Sequence, residues 1–566
     1  MSWPHLVVLP VVLPLLGGAA LVLVERRVPR LVRPLSAVLM VAGLLLAMAL
    51  LAQADRGAVQ AYLVGNWPAP FGVVLALDRL AALMLLLTAV VGCASLLYAG
   101  GGDDRRGRHF HSLFQFQLMG LNGAFLTADL FNLFVFFEVL LIASYGLLLH
   151  GAGPQRLRAA LHYVAFNLAG SSLFLVAASL LYGLTGTLNF ADLAQRLPLL
   201  PADRHALVQS AALLLLVVFG VKAALLPLYF WLPATYGAAS APVAALFAIM
   251  TKVGVYAILR TTTLVFGAGA GAGAGAGTDT GLAAGAMAGV ASPWLDGLAL
   301  ATLLFGAVGA LAAVRLRALI GQLVIASAGT LLLAVALARP DSVSAWLFYL
   351  VNSTLVVAAL FLLADRLRAP RGRADDALVP ADLGPARVPL GALFLVLAAA
   401  AAGLPPMAGF LGKALLLQAA GQTAWAPLIV AGVLVSSGLV MVALTRAGSQ
   451  LFWKPADPAH ANDAPSPDPR NIDTRDIDPR NLHPRDADRP VVGHRCHTAS
   501  LALLTTLLVA CAVFAGPLAA YTQATAHQLF NRGDYLRAVL QAQPVPAAID
   551  LRREMRERRG VTGAAQ

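Results

Sequence analysis

Long apolar stretches alternate along this chain with short segments rich in arginine, glycine and proline. A helical stretch of about 20 apolar residues is long enough to cross the hydrocarbon core of a bilayer, which is about 30 Å thick. The pattern therefore predicts an all-α polytopic membrane protein with about fourteen transmembrane helices. The predicted spans are 5–24, 31–53, 76–99, 111–128, 130–149, 160–183, 208–233, 242–264, 292–313, 317–337, 342–363, 388–419, 426–452 and 497–521.

Composition supports this class and narrows the function. The chain is 59% hydrophobic and 12% charged, and its mean hydropathy is +0.77. A net charge of +12 would suggest nucleic acid as the partner of a soluble protein, but here the arginines lie in short loops between spans, so we expect no nucleic-acid binding. The three cysteines are far apart, and we expect no disulfide framework, metal site or cofactor. Because the N-terminus lacks the cationic region of a signal peptide, we expect the first apolar run to remain as a span.

Basic loops predict the orientation of the protein in the membrane. They follow spans 1, 3, 5 and 11, which are all odd-numbered, so the positive-inside rule predicts that both termini lie on the outer side. The arginines concerned are Arg26, Arg27, Arg30, Arg33, Arg105, Arg106, Arg108, Arg156, Arg158, Arg366, Arg368, Arg371 and Arg373.

Two segments of low complexity suggest how the chain is divided. Residues 267–277 alternate glycine and alanine, which is typical of a flexible connection. The Asp/Pro/Arg-rich segment 454–496 is too polar to form a core, and we expect a disordered cytoplasmic loop there. The predicted organisation is spans 1–3 (1–110), a first repeat of spans 4–8 (111–264), a second repeat of spans 9–13 (265–453), the loop (454–496), and span 14 with a C-terminal tail (497–566).

Lysine is rare in this chain and is placed in unusual surroundings. Four lysines stand against 36 arginines, and Lys222, Lys252 and Lys413 lie inside long apolar segments. An arginine stays protonated in a protein, whereas a lysine shielded from water can release its proton. We interpret arginine as fixed charge and lysine as a carrier of movable protons. A genome rich in G and C would also make lysine scarce, but it would not place the remaining lysines in apolar surroundings.

Glu138 lies midway along a strongly apolar segment and is one of four glutamates. A charge near the bilayer centre costs at least about 2.5–3.5 kcal/mol, so such a carboxylate is normally paired, protonated or in contact with water. One interpretation is a structural ion pair with a lysine. The other is a carboxylate that keeps a neighbouring lysine protonated when the two are close and lets it discharge when they separate. Lys252 also has a simpler interpretation, since a lysine near a span end can extend to the interface.

Two of the buried lysines lie near prolines inside predicted spans. Pro227 follows Lys222 in span 7, and Pro405 and Pro406 precede Lys413 in span 12. Proline interrupts helical hydrogen bonding and leaves free carbonyls, which a membrane protein tolerates only beside a cavity or other protein. Paired broken helices are typical of inverted-repeat transporters. The sequence therefore predicts two inverted five-helix repeats with broken helices at spans 7 and 12.

Several motifs in spans 3 to 13 share a pattern with a known family. They are Asp129–Gly146, Leu226–Pro233, Pro242–Phe247, Thr251–Arg260 and Gly403–Lys413. Their combination resembles the D subunit of Mrp-type multisubunit cation/proton antiporters, which is related to the antiporter-like subunits of respiratory complex I.

This resemblance implies a secondary transporter subunit and not an enzyme. It implies a place in the bacterial inner membrane beside other membrane subunits of an antiporter complex, with protons and Na⁺ or K⁺ as the transported ions and no cofactor. It also implies a proton path through Glu138, Lys222, Lys252 and Lys413.

One stretch departs from the family pattern. Some related subunits carry a histidine or aspartate after the Trp-Leu-Pro motif, whereas the segment Ala234–Pro242 has neither. We expect water, or Thr235 and Tyr236, to provide the cytoplasmic proton route in their place. Histidines at span ends are more often interfacial than part of a relay. The histidines concerned are His109, His111 and His162.

The sequence thus predicts a proton-translocating subunit of a monovalent cation (Na⁺ or K⁺)/proton antiporter. Two alternatives stay open. One is a proton-pumping membrane subunit of NADH:quinone oxidoreductase or of a membrane-bound hydrogenase, and the other is an assembly scaffold in which buried charges hold subunits together. Glu138 alone supplies too few oxygens for a cation site, so passage of the cation at an interface with a partner is a further hypothesis.

Overall fold

A computed structural model describes residues 4–267, 292–421, 423, 425–454 and 490–544. Within these residues, 13 helices are long and apolar enough to cross a membrane, and the helix Phe110–Leu126 corresponds to the remaining predicted span. The predicted all-α polytopic fold is therefore confirmed. The Gly/Ala segment after Gly267, residues 455–489 of the predicted loop and the tail after residue 544 lie outside the described residues.

The helices are numbered in chain order. They are α1 (Leu9–Arg27), α2 (Val32–Ala54), α3 (Arg79–Ala99), α4 (Phe110–Leu126), α5 (Leu130–Leu149), α6 (Pro154–Thr185), α7 (Phe190–Arg196), α8 (His205–Ala223), α9 (Trp231–Ala238), α10 (Ala241–Phe247), α11 (Met250–Arg260), α12 (Ser292–Ala312), α13 (Leu316–Ala336), α14 (Pro340–Arg371), α15 (Arg387–Ala402), α16 (Ala408–Ala420), α17 (Ala426–Gly448), α18 (Pro490–Val513), α19 (Ala515–Phe530) and α20 (Arg532–Leu540). Predicted spans 7, 8 and 12 each consist of two helices, α8 with α9, α10 with α11, and α15 with α16.

Helices α10, α11, α13 and α14 form the centre of the bundle. The span made by α10 and α11 and the span made by α14 are completely covered by other parts of the protein, whereas α1, α2 and α18 leave most of their surface open. Apolar residues all round a helix suit either a protein interior or lipid. Polar groups on the central helices therefore face protein and enclosed space, where they avoid the cost of contact with lipid.

The two predicted helix breaks are confirmed. Pro227 lies between α8 and α9, and Pro405 and Pro406 lie between α15 and α16. Each break begins with a residue in the left-handed region, Ala224 with φ 59° and Gly403 with φ 78°. Glycine adopts this conformation freely, whereas alanine pays a steric cost. The division into two inverted repeats remains a prediction.

A third break, in span 8, was not predicted. Helix α10 ends at Phe247 and α11 begins at Met250, and a π-helical turn covers Thr261–Val265. The sequence has Ala248 and Ile249 at the break, neither of which is a helix breaker. The local sequence therefore does not predict this break, and we attribute it to tertiary contacts.

A short β-hairpin and a buried ion pair close one end of the bundle. Strands β1 (Gln60–Leu63) and β2 (Val74–Leu77) pair antiparallel. The next residue, Asp78, caps α3 by accepting from the Ala81 amide at 2.8 Å, and it receives a second hydrogen bond from Arg260 Nη2 at 2.9 Å. Both charges are buried and neutralise one another, so this arginine serves as a fixed structural charge.

Contacts between basic loops show that they meet at the opposite end. Arg33 binds Asp104 through Nε at 2.6 Å, Arg156 Nε donates to the Ala238 carbonyl at 3.1 Å, and Arg317 Nη1 donates to the Ala239 carbonyl at 3.2 Å. These bonds connect the ends of spans 1 and 3, 5 and 7, and 7 and 9. The common end agrees with the predicted topology, and the side of the membrane that it faces remains a prediction.

A glycine lets two of the lysine-bearing helices meet at backbone distance. A Cβ atom added at Gly254 of α11 would lie 2.5 Å from the Ala223 nitrogen and 2.9 Å from Lys222 Cβ. Only glycine fits at this crossing of α8 and α11. Lys222 and Lys252 are therefore brought onto adjoining helix segments by the absence of one side chain.

We predict that Gly254→Ala destabilises the protein, because the new methyl group meets backbone atoms that cannot move aside cheaply. Overpacking of this kind costs about 1–3 kcal/mol. The measurement is thermal unfolding of the purified protein followed by size-exclusion chromatography. The control is Gly183→Ala in α6, where an added Cβ has no neighbour within 4 Å. Equal melting temperatures for both variants would contradict the packing argument.

Candidate functional site

Glu138 and Lys222 lie on α5 and α8, and α6 provides the hydrogen-bond partner of each. Lys222 Nζ donates to Asn167 Oδ1 at 3.1 Å, and Ser171 Oγ donates to Glu138 Oε1. Lys222 Nζ also lies 5.8 Å from the centre of the Phe137 ring, a distance at which a cation is attracted to the ring face. In the described part of the chain, no carboxylate lies within 4.0 Å of Lys222 Nζ. The structure therefore holds the acid and the lysine apart.

A polar stripe on α6 connects these two groups. Tyr163, Asn167 and Ser171 are spaced four residues apart, which places them on one face of the helix. The Tyr163 hydroxyl lies 2.9 Å from Ser144 Oγ on α5. Sequence reasoning missed all three α6 residues. The signal was nevertheless present, since polar residues at a four-residue spacing inside a membrane span mark a face turned towards protein or water.

Lys252 lies deep in the bundle, beside α13. Its Nζ donates to Ser327 Oγ at 3.1 Å and lies 3.5 Å from Thr251 Oγ1. The residue is 0% exposed, so it does not extend to the interface. Its only polar partners in the described residues are hydroxyl groups, which solvate an ammonium without adding a compensating charge.

Lys413 binds directly to one of the helix breaks. Its Nζ donates to the carbonyl of Ala402, the last residue of α15, at 2.9 Å, and to Ser437 Oγ on α17, also at 2.9 Å. The Ala402 carbonyl has no helical partner because Pro405 and Pro406 end the helix there. An ammonium at a helix C-terminus is stabilised by the helix dipole. The prolines thus supply the oxygen that holds this lysine.

The break at Pro227 serves Lys222 differently. There the freed Val221 carbonyl accepts a hydrogen bond from Trp231 Nε1 at 3.0 Å, and the Leu226 amide donates to Thr302 Oγ1 at 2.9 Å. Trp231 and Thr302 thus satisfy the backbone groups freed at this break, whereas Lys413 binds the carbonyl freed at the other break. The two breaks match in sequence position and backbone conformation but not in their hydrogen-bond partners.

A cavity of about 30 Å³ lies between the surroundings of Lys252 and those of Lys413. Asn352 Oδ1 is buried there without a hydrogen-bond partner in the described residues. Buried polar atoms rarely stay unpaired, and a polar cavity of this size can hold water that satisfies them. The polar lining comprises Ser327, Thr330, Tyr349, Asn352, Ser353, Lys413 and Ser436.

Of the two proposed route residues, Tyr236 contacts the helix segment that carries Lys252 and Thr235 does not. Its hydroxyl donates to the Phe247 carbonyl at 2.7 Å and interacts with Thr251, the neighbour of Lys252. Thr235 instead donates back to its own helix, at the Trp231 carbonyl.

The three histidines near span ends bind groups other than the lysines. His109 pairs with Glu25 at 2.9 Å, and the exposed His162 bonds its own helix. His111 binds Asp104 at 3.1 Å. Burial alone would raise the pKa of Asp104, but hydrogen bonds from His111 and Arg33 outweigh it and hold that pKa below its usual range. This cluster is a structural link between loops and lies apart from the lysines.

Comparison with known proteins identifies the class of this arrangement. The family model described as "NADH:quinone oxidoreductase/Mrp antiporter, TM" matches residues 127–273 and 278–439, a range that contains Glu138, Lys222, Lys252 and Lys413. The chain belongs to this family.

Individual relatives agree with this assignment to the NADH:quinone oxidoreductase/Mrp antiporter family. The D subunit of a probable K⁺/H⁺ antiporter of Rhizobium meliloti is 43% identical over 482 residues, which cover 79% of this chain and 87% of the relative. The D subunit of a Na⁺/H⁺ antiporter of Bacillus subtilis is 37% identical over 456 residues, with the same two coverages. A chain of the Mrp complex from Dietzia superposes with a TM-score of 0.80 at 28% identity, covering 95% of this chain and 100% of that one. The resemblance to Mrp D subunits is confirmed, and these relatives are transporter components and not enzymes.

We predict that the cavity beside Lys413 holds water. In hydroxyl-radical footprinting by X-ray radiolysis, Tyr349 of the cavity lining should be labelled although it is buried. Tyr256 is the matched control, because it is also buried but binds the Phe125 carbonyl and lies outside the cavity lining. The variant Asn352→Leu should reduce labelling of Tyr349 by excluding water. Equal labelling of the two tyrosines would contradict a hydrated cavity.

Proposed function

We propose that this chain is the proton-translocating subunit of a multisubunit monovalent cation (Na⁺ or K⁺)/proton antiporter in the bacterial inner membrane, with both termini on the outer side. Protons move along Glu138, Lys222, Lys252 and Lys413, and other membrane subunits of the complex are its partners. The observation that carries the proposal is that three lysines inside membrane spans are held by neutral oxygens and have no carboxylate within 4.0 Å in the described structure.

Neutral partners suit proton transfer because they leave the charge of the lysine uncompensated. A lysine locked to a carboxylate would stay charged, as Arg260 does beside Asp78. A lysine bound to hydroxyl, amide and carbonyl oxygens keeps acceptors for its N–H groups when charged, and its burial favours the neutral form. Small changes in its surroundings therefore decide whether the proton stays or leaves.

The contacts give the proposed path an order. The α6 stripe connects Glu138 to Lys222. The close crossing at Gly254 joins the helices of Lys222 and Lys252. Ser327 binds Lys252 and also lines the cavity that reaches Lys413. Polar side chains therefore support the first step and a cavity that can hold water supports the last, whereas the middle step rests on the close approach of α8 and α11.

Direction comes from the acid at the start of the path. When Glu138 approaches Lys222 the lysine takes up a proton, and when it withdraws to Ser171 the lysine passes the proton on. The arrangement in this structure corresponds to the separated state. A transmembrane potential supplies about 2.3 kcal/mol per charge for each 100 mV, an amount comparable to between one and two pKa units.

Entry from the basic-loop end is proposed through Tyr236 and Thr251 to Lys252. This short chain of hydroxyl groups replaces the acidic or histidine side chain that some related subunits carry in this region. His109, His111 and His162 are not part of this proposed route.

A proton-pumping subunit of a redox enzyme would use the same path, and the family description includes NADH:quinone oxidoreductase. The antiporter is preferred because the relatives at 43% and 37% identity are named as antiporter subunits. Proton exchange that requires Na⁺ or K⁺ and no electron donor would decide for the antiporter. Normal exchange after neutralising each of the four path residues would instead favour a scaffold.

We predict that Lys222→Arg abolishes exchange, because arginine keeps the charge but does not release a proton. The assay is Na⁺- or K⁺-dependent proton exchange in everted vesicles that carry the complete complex, and we expect a loss of at least about tenfold, equivalent to about 1.4 kcal/mol in the barrier. Lys454→Arg is the matched control, since Lys454 is exposed and follows the last turn of span 13. Full exchange by Lys222→Arg, with the complex present in normal amounts, would refute the relay.

We predict that Ser171→Ala slows exchange while Ser172→Ala does not. Ser171 donates to Glu138, whereas its exposed neighbour Ser172 bonds only its own helix, at the Leu168 carbonyl. A hydrogen bond to a charged group contributes about 1.5–3 kcal/mol, so its loss should change the exchange rate about tenfold or more and shift the pH at which exchange is fastest. If both variants behave alike, Ser171 does not position the acid.

A further inference from the structure

A large open pocket of about 580 Å³ lies at the end of the bundle where the basic loops meet. It is separate from the lysines of the proposed path, and side chains from the ends of spans 3, 5, 9 and 11 surround it. Its charged lining residues are Arg106, Arg156, Arg315, Arg317, Arg368, Asp375 and Asp376. Arginine is thus the most frequent charged residue in this pocket, which also includes the first residues of α6.

Four of these arginines form ion pairs with carboxylates. Arg106 lies 3.1 Å from Asp103, and Arg315 lies 3.6 Å from Asp376. A further carboxylate, that of Asp365, lies 2.9 Å from Arg317 and 3.6 Å from Arg368. These pairs fix the positions of the guanidinium groups and leave them part of their donor capacity, since each guanidinium has five N–H donors.

Arg156 differs from the other four. Its donors bind only backbone carbonyls, those of His150, Ala152 and Ala238. In the described part of the chain, no carboxylate lies within 4.0 Å of it. Its positive charge is therefore not compensated by any acid nearby, and an anion in the pocket would meet it first.

The N-terminus of α6 opens into the same pocket. Gly151, Gly153 and Pro154 line the pocket, and no side chain caps the first turn of this helix of 32 residues. Gly153 has φ 118°, a conformation that favours glycine and keeps the approach to the first amides clear of side chains. Free amides and the positive end of a helix dipole together favour a bound anion.

A second, independent feature is an unsatisfied donor. Arg317 is 8% exposed and lines the pocket, and its Nε has no hydrogen-bond partner in the described structure. A buried donor without a partner costs free energy. Its presence beside the uncompensated Arg156 indicates that the site is incomplete as it stands.

We propose that this pocket binds a phosphate group, with Arg156, Arg315 and the first-turn amides of α6 as its main donors. Guanidinium groups bind phosphate oxygens in pairs of hydrogen bonds, and helix N-termini bind the same group through backbone amides. The bound phosphate joins the loop before α6 to the loops around α13 and α14, so it holds together the basic-loop ends of both halves. The site is independent of which cation is transported.

The experiment uses the purified complete complex with variants Arg156→Gln and Arg315→Gln. The control is Arg108→Gln, which removes the same charge from an exposed position outside the pocket lining. Retention of phosphatidylglycerol or cardiolipin is measured by native mass spectrometry, and binding of inorganic phosphate and pyrophosphate is measured by calorimetry. Loss of one charge-assisted contact should weaken binding about tenfold.

Weaker lipid retention in both pocket variants, with the control unchanged, identifies the phosphate as a lipid headgroup. Weaker binding of phosphate or pyrophosphate, with lipid retention unchanged, identifies a soluble phosphate. The proposal is overturned if neither ligand binds, or if both bind all variants and the control equally. If Arg156→Gln fails to assemble, Arg315→Gln decides, since its side chain is half exposed and lies 3.6 Å from its only acidic partner in the described residues.

Discussion

The arrangement depends on keeping an ammonium group inside a membrane protein without a carboxylate beside it. Lys222, Lys252 and Lys413 are each held by oxygens of neutral groups, an amide, hydroxyls and a backbone carbonyl. Such partners reduce the cost of burying the charge without fixing it in place. Each of these lysines thus has acceptors for its N–H groups and no carboxylate within 4.0 Å in the described residues.

One of the two proline breaks provides part of this solvation. Inside an intact helix every backbone carbonyl is used, so a membrane-embedded lysine would find only side chains. At Pro405 and Pro406 the helix ends within the bilayer and its last carbonyl binds Lys413. At Pro227 the protein closes the break with Trp231 and Thr302. The two breaks thus have different roles. One supplies a carbonyl ligand for the Lys413 ammonium, and the other is a bend whose backbone groups bind Trp231 and Thr302.

The ion pairs of the arginines lie at the ends of the bundle, whereas Lys222, Lys252 and Lys413 lie inside the predicted spans. Arginines bind carboxylates or carbonyls at the two ends of the bundle, as Arg260 does with Asp78 and Arg317 with Asp365. These pairs hold loops and helix ends together whatever the state of the path. Lys252 lies on the central span made by α10 with α11 and is 0% exposed, whereas Lys413 on α16 is only partly buried. Arg156 is an exception among the arginines of the open pocket, since its guanidinium binds only backbone carbonyls and has no acidic partner within 4.0 Å in the described structure.

The sequence by itself determined the fold class, the spans and the two proline breaks, because apolar length and proline act locally and independently of packing. It also identified Glu138 and the three lysines, since an ionisable residue in an apolar run is conspicuous without a structure. Only the tertiary structure decided what each lysine binds, because Asn167, Ser327 and Ser437 lie on other helices and the Ala402 carbonyl lies across the helix break from Lys413. It alone revealed the break after Phe247, the role of Gly254 and the cavity near Lys413, which arise from how helices cross and leave no mark in the local pattern.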